Sequence, residues 1–364
     1  METASLPWPR KRLARAFSRG VLRLLFRLFA RVEVQGEENV PATGPCIVAG
    51  NHSGFLDVLL MIAFGPPRLE MIGTGDIPMD PSYAKLTEFY GFIPIKRGST
   101  DSQSLEKSVD VLRQGGFLGI FPQGGVWDRR RTRAQRGVAW IGAAAHAPVL
   151  PMGFGGVQGA FAGIFSLRFP RISVGIGPPI PMPAQGQSGE VRKGELDAFA
   201  ERVMDAVESL IPGDLRGAFE APEREDFDAK VEVQGPAGSP LPVELSREEA
   251  RSLGFLLFHQ VLVRTFRRNL RLRVACLEDA AAPISGATLG EAMGDLVRYL
   301  DEENRYFFTY RIGAESAVAI RGAFGKILVA AETAPEATFR IEAERSWRMA
   351  GDTEDRVERL GRGI

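Results

Sequence analysis

The sequence predicts an α/β fold, a mixed sheet flanked by helices, with an additional α+β region at its C-terminal end. Three observations carry that expectation. Short apolar runs alternate with helical patterns of about 10–15 residues through the first half of the chain. A stretch rich in acids, proline and glycine then breaks the pattern after Pro212. The chain also has 364 residues, more than one average domain needs.

Taken in order, "RVEVQ" reads as a strand, "VPATG" as part of a loop, and Cys46 to Ala49 as a short buried strand. "LDVLLMIAF" follows as a helix and "LEMIGT" as another buried run. "YAKLTEFYGFIPIKRGS" gives a helix ending near Gly91, then a strand over Phe92 to Ile95. In "SQSLEKSVDVLRQGG" the residues Leu105, Val109 and Leu112 share one helical face, and Gly115 and Gly116 stop the helix. "FLGIFPQGG" is a strand running into a loop, "RGVAWIGAAAHA" a helix, "PVLPMGFGG" a strand and loop, and "ISVGIGPPIP" a strand. Residues 195–211 form a helix ended by Pro212. Sheets of this kind carry reactive groups in loops at strand ends. His52, Arg97 and Gln123 each follow a strand.

Four segments are expected: a basic amphipathic helix within 1–31, a main domain over 32–212, a linker over 213–245 with at most a short strand, and an α+β domain over 246–364. In the last, Ser246 caps a long helix, "LRLRVAC" reads as a strand and "TLGEAMGDLVRYLDEENR" as a helix. "YFFTYRIG", "KILVAAE" and "TFRIEAE" read as strands. This region shows no catalytic constellation, and His259, inside an apolar helical run, reads as packed or capping.

The N-terminal segment "RKRLARAFSRGVLRLLFRLFAR" places Lys11, Arg15, Arg19, Arg23, Arg27 and Arg31 every fourth residue, a ridge along one side of a helix. Leu13, Phe17, Val21, Leu24, Leu25 and Leu28 fill much of the rest. Like charges at that spacing repel, and an anionic lipid surface relieves the repulsion by about 1 kcal/mol per basic residue. The expectation is a helix lying in a membrane interface, with a peripheral location on the cytoplasmic face. A transit peptide, or a helix docked on its own domain, is the alternative.

Lys and Arg total 45, as do Asp and Glu, so bulk charge gives no argument for nucleic acid. The two cysteines, Cys46 and Cys276, sit in separate apolar runs and read as buried thiols in a reducing compartment. The sequence has no CxxC pair and no HExxH, so it suggests no metal or other cofactor.

The chemistry is concentrated in "NHSGFLD". On one continuous helix, positions five apart diverge by roughly 140°, so His52 and Asp57 meet only if the chain bends between them. Ser53 and Gly54 suit a bend. Asp57, in the first turn of the following helix, then accepts from His52 and orients it to take a proton from a hydroxyl. The chain has no GxSxG, which favours an attacking hydroxyl that belongs to the substrate.

"NHSGFLD" resembles the first motif of the lysophospholipid and glycerol-phosphate acyltransferase family, which includes the 1-acylglycerol-3-phosphate acyltransferases. "GFIPIKRGS" (91–99), "FPQGG" (121–125) and "VLPMGFGG" (149–156) follow in the family's order. The resemblance implies a membrane-associated acyltransferase of the same fold, with His52 as general base and Asp57 as its orienting partner. Lys96, Arg97, Gln123 and Gly124 then line the substrate site. It also implies an acyl-thioester donor, acyl-CoA or acyl-carrier protein, a lipid acceptor hydroxyl, and no cofactor. The third block departs from the family's Phe-Pro-Glu-Gly-Thr-Arg: Gln123 replaces the acid and Val126 the arginine. Asp128 and Arg129 to Arg131 lie just beyond. That departure leaves open another lipid hydroxyl or an amine as acceptor, and a non-catalytic lipid- or acyl-binding protein on the same scaffold. A thioester hydrolase is a further reading. His146 reads as structural.

Overall fold

The computed structural model describes residues 6–74, 81–95, 101–124, 134–183, 193–216, 222–235, 243–259, 263, 283–303, 313–349 and 351–360. The chain divides into two compact units, one holding most residues up to Ala221 and the other most residues from Pro222 onward.

The first unit is built on a seven-stranded mixed sheet. Its strands are β1 (Arg31–Gln35), β2 (Cys46–Gly50), β3 (Glu70–Thr74), β4 (Ile93–Ile95), β5 (Phe117–Ile120), β6 (Val149–Gly155) and β7 (Arg171–Ile176). They lie in the order β1-β7-β6-β2-β5-β3-β4. β2 runs parallel to both β5 and β6, while β7 runs antiparallel to β6 and parallel to β1. The helices are α1 (Arg12–Phe29), α2 (Phe55–Phe64), α3 (Pro81–Tyr90), α4 (Ser102–Arg113), α5 (Gly137–Ala145), α6 (Ala160–Phe165) and α7 (Lys193–Ser209).

Strand alternation divides the core in two. Cys46 and Val48 of β2 face one side, with Phe26 of α1, Leu60 and Met61 of α2, and Phe154 of β6. Ile47 and Ala49 face the other, with Leu112 of α4, Val138 and Ile141 of α5, and Phe199 and Val203 of α7. Burial on both faces explains why β2, β6 and most of β7 read as continuous apolar runs. Burial also pushes the Cys46 thiol up to about 12, so it is no nucleophile at neutral pH.

α1 forms where the sequence predicts, with Lys11, Arg23, Arg27 and Arg31 of the basic ridge exposed, but one member of that ridge turns fully inward. Arg15 is buried, and its guanidinium grips the fully buried Glu70 carboxylate at the start of β3 with two hydrogen bonds, Nη1 to Oε1 and Nη2 to Oε2 (2.6 Å for the second). Arg10 adds a bond from Nε to Oε2 at 3.0 Å, and Arg23 donates to the Ala63 carbonyl at 2.7 Å. The apolar residues point outward: Leu13 is 88% exposed, and Phe17, Leu24, Leu25 and Leu28 are exposed too. The physical reason is Glu70. Its carboxylate at zero exposure needs compensating partners, and Arg10 and Arg15 supply them, which draws that side of α1 inward. Among the described residues, no helix is long and apolar enough to cross a membrane.

The second unit holds β8 (Arg224–Gln234), β9 (Ile284–Ser285), β10 (Thr338–Arg348) and β11 (Arg356–Leu360), with helices α8 (Arg247–Phe258), α9 (Gly286–Arg298) and α10 (Ala314–Thr333). β10 lies between β8 and β11, antiparallel to both, and its start also pairs β9. Ser246 and Glu249 form a reciprocal cap at the start of α8. Two expectations are corrected. The acidic stretch expected to be linker contains β8, which pairs β10 from Arg224 to Gln234; its alternation of charged and apolar residues suits a sheet with one wet face. "KILVAAE", expected to be a strand, lies inside α10, because a short apolar run does not distinguish a strand from part of a longer buried helix. "LRLRVAC", most of "YFFTYRIG" and Cys276 lie outside the described residues. His259 ends α8 with its ring against Phe255 and its Nδ1 2.7 Å from the Phe255 carbonyl oxygen.

Candidate active site at the end of strand β2

β2 delivers the site. All five of its residues are buried. At its end, a Cβ on Gly50 would lie 2.7 Å from the Phe154 ring and 2.8 Å from Met61 Cε, so only glycine passes between them. Asn51 then locks the strand end to β6: its Nδ2 donates to the Phe154 carbonyl (3.0 Å), and the Phe154 N–H donates to its Oδ1 (2.7 Å). The chain leaves the sheet over His52, Ser53 and Gly54 and enters α2 at Phe55.

Asp57 sits in the first turn of α2, fully buried. Its Oδ2 accepts from the Ser53 N–H, from the Gly54 N–H at 2.8 Å and from the Ser53 hydroxyl at 3.2 Å. Amides at a helix start favour an acid there. The bend inferred from Ser53 and Gly54 therefore exists, and the acid at the helix start holds it closed. His52 Nδ1 lies 3.4 Å from Asp57 Oδ2, in ion-pair reach but longer than a fully formed N–H···O bond. The His52 side chain keeps 16% exposure while its acid partner has none, so the ring edge is reachable and the carboxylate is sealed.

The loop after β5 closes the other side. The Phe121 ring stacks on His52 with centroids 4.1 Å apart and planes at 18°. The buried Gln123 accepts the His52 N–H on its Oε1 at 2.5 Å. Gly124, at φ 75°, makes the turn that follows, and its N–H bonds the Phe121 carbonyl. Two strand-end loops thus hold one imidazole at its ring face, at its backbone amide and near its Nδ1.

An imidazole backed by a sealed carboxylate is suited to accepting a proton and returning it. Residues 31–155, which contain this whole arrangement, match the family model described as Acyltransferase. This segment is an acyltransferase-family domain. The chain is 29% identical over 128 residues to the chloroplastic 1-acyl-sn-glycerol-3-phosphate acyltransferase BAT2 of Brassica napus, covering 34% of this chain and 37% of that protein. It is 23% identical over 165 residues to the 1-acyl-sn-glycerol-3-phosphate acyltransferase of Bacillus subtilis, covering 45% of this chain and 81% of that one. The crystal structure of the 1-acyl-sn-glycerophosphate acyltransferase PlsC from Thermotoga maritima aligns over 55% of this chain and 79% of its own, at 20% identity and a TM-score of 0.39.

Within the acyltransferase domain the structure brings His52, Asp57, Gln123 and Gly124 together. Lys96, Arg97, Val126, Asp128 and Arg129 to Arg131 lie outside the described residues. His146 takes no part: it is exposed and ends α5 in the left-handed conformation. Two contributors were missed in the sequence. Asn51 adjoins the histidine and Phe121 ends a strand, but only their three-dimensional partners, Phe154 and His52, mark them as parts of the site.

Proposed function

We propose that this protein transfers a fatty acyl group from an acyl thioester, acyl-CoA or acyl-carrier protein, to the hydroxyl of a lipid acceptor of the 1-acylglycerol-3-phosphate kind. The observation that carries the reading is the buried Asp57 set 3.4 Å from Nδ1 of a partly exposed His52, inside the segment that matches the acyltransferase family. The activity for which the Brassica and Bacillus relatives are named supports the acceptor class.

In this reading His52 Nε2 takes the acceptor hydroxyl proton as the oxygen attacks the thioester carbonyl carbon. Asp57 stabilises the imidazolium across the Nδ1 side. The tetrahedral intermediate collapses, the C–S bond breaks, and the departing sulfur takes the proton back from Nε2. The products are an acylated lipid and a free thiol, with neutral His52 restored. Oxyanion stabilisation comes from elsewhere than Ser53 and Gly54, because Asp57 already occupies their amides.

The outward stripe of Leu13, Phe17, Leu24, Leu25 and Leu28 on α1 supports a lipid surface as the working place. Phe89 extends the stripe, its ring edge-on to Phe17 at 6.4 Å. Contact is led by insertion of that apolar stripe, with Lys11, Arg23, Arg27 and Arg31 of the basic ridge also exposed on or beside α1.

The test is product formation from labelled acyl-CoA or acyl-carrier protein and lysophosphatidate in vesicles. Wild type forms diacyl product, and His52→Ala lowers kcat about 10²–10⁴-fold. Equal product from both proteins overturns the mechanism. Thioester binding without product from either favours the binding-protein reading.

A further inference from the structure

We infer that Gln123 is a positioning residue, the group through which the β5 loop fixes the reactive histidine on the end of β2. The inference rests on the acyl-transfer reading and gives a separate role to a residue that the resemblance implied only as part of the substrate site.

Three consecutive backbone amides form the turn between β2 and α2, and two side chains hold all three. Ser53 and Gly54 donate to Asp57, and His52 donates to Gln123. Asp57 belongs to the same short segment and closes the turn upon itself. Gln123 is 71 residues away and ties the turn to a neighbouring strand. Without it, the turn could tilt as a unit with its internal bonds intact. The imidazole would then slide from the Phe121 ring, on which it is now stacked. Gln123 is buried, so when its oxygen is absent no bulk water is at hand to replace it.

The chemistry required of position 123 is an acceptor oxygen at the end of a four-atom side chain, and nothing more. Glutamine and glutamate both supply it, whereas methionine has the length without the oxygen. A displacement of about 1 Å at a reacting group costs up to roughly 10²-fold in rate. A residue that only positions the base affects kcat and leaves substrate affinity alone.

The experiment compares full-length wild type, Gln123→Met and Gln123→Glu. The readouts are steady-state transfer from acyl-CoA to lysophosphatidate and hydrogen exchange at the His52 amide. Gln123→Met should lower kcat about 10–100-fold with KM for both substrates nearly unchanged, and the His52 amide should exchange about ten-fold faster. Gln123→Glu should recover most of the loss in kcat and restore amide protection. Wild-type kcat in Gln123→Met overturns the inference. So does a rise in KM at constant kcat, which places Gln123 on the substrate, or a Gln123→Glu variant as slow as Gln123→Met, which assigns the effect to the amide's NH₂ donors. If wild type itself transfers no acyl group, the proposed function fails; the exchange measurement still decides whether Gln123 holds the turn.

Discussion

Two carboxylates of the first unit, Glu70 and Asp57, are both fully buried, yet their partners differ in kind. Glu70 meets the permanent cations Arg10 and Arg15, and the same guanidinia reach on to the Gly91 carbonyl. Its charge is cancelled on both oxygens. Asp57 is held by two amides, one hydroxyl and an imidazole, and among the described residues no arginine or lysine pairs with it. A buried acid matched to fixed cations is a structural fastener. A buried acid matched to neutral donors and one titratable ring retains a field that can stabilise charge arriving on that ring. In the proposed reading, the contrast is that between an anchor and a reactive group.

Substitutions at the two acids sharpen the contrast. Asp57→Asn keeps an acceptor for the Gly54 amide and removes the charge. It should lower kcat about 10²–10⁴-fold while costing no more than about 1–3 kcal/mol in urea unfolding. A kcat within about two-fold of wild type would remove Asp57 from the mechanism. Glu70→Gln should do the opposite. It leaves two guanidinia under-compensated and costs about 3–5 kcal/mol of stability, with kcat of the folded fraction unchanged. An unaltered unfolding midpoint would show that charge compensation is not what seats α1. The smallest effect concerns the far side of that helix. Leu24→Ser with Leu28→Ser should change stability by about 0.5 kcal/mol or less, since both residues are exposed, yet reduce partition onto vesicles about ten-fold. Partition of the wild type should also persist at high salt. A steep loss with salt would make the exposed basic residues of α1, rather than its apolar stripe, the main lipid contact.

The sheet of the first unit was readable because its strands are short, apolar and bounded by glycine or proline, while α4 carries a clear 3.6-residue pattern. The approach of His52 to Asp57 was readable because five residues cannot bring two side chains together without a bend, and Ser53–Gly54 supplied one. The orientation of α1 was not. Amphipathicity establishes that a helix has two faces, but the inward one was chosen by Glu70, 55 residues beyond Arg15 and hidden in the run "LEMIGT". The contact of Gln123 with His52 was hidden for the same reason, since no local pattern links positions brought together by adjacent parallel strands. In the second unit, β8 was masked by its charges: seven of its eleven residues, Arg224, Glu225, Asp226, Asp228, Lys230, Glu232 and the terminal Gln234 among them, are polar on a strand with one buried face.

Asn51 carries a last consequence. Its side-chain amide bonds both polar backbone groups of Phe154, so a side chain adds one more rung to the ladder where the main chain of β2 has already begun to turn away. The seam between two strands thereby outlasts the strand itself, and the backbone beyond it is relieved of sheet duty. That is how a rigid edge and a sharply folded corner can share adjoining residues. Any replacement at this position that lacks a paired donor and acceptor would unzip the seam from its end and loosen the ground on which the neighbouring imidazole stands.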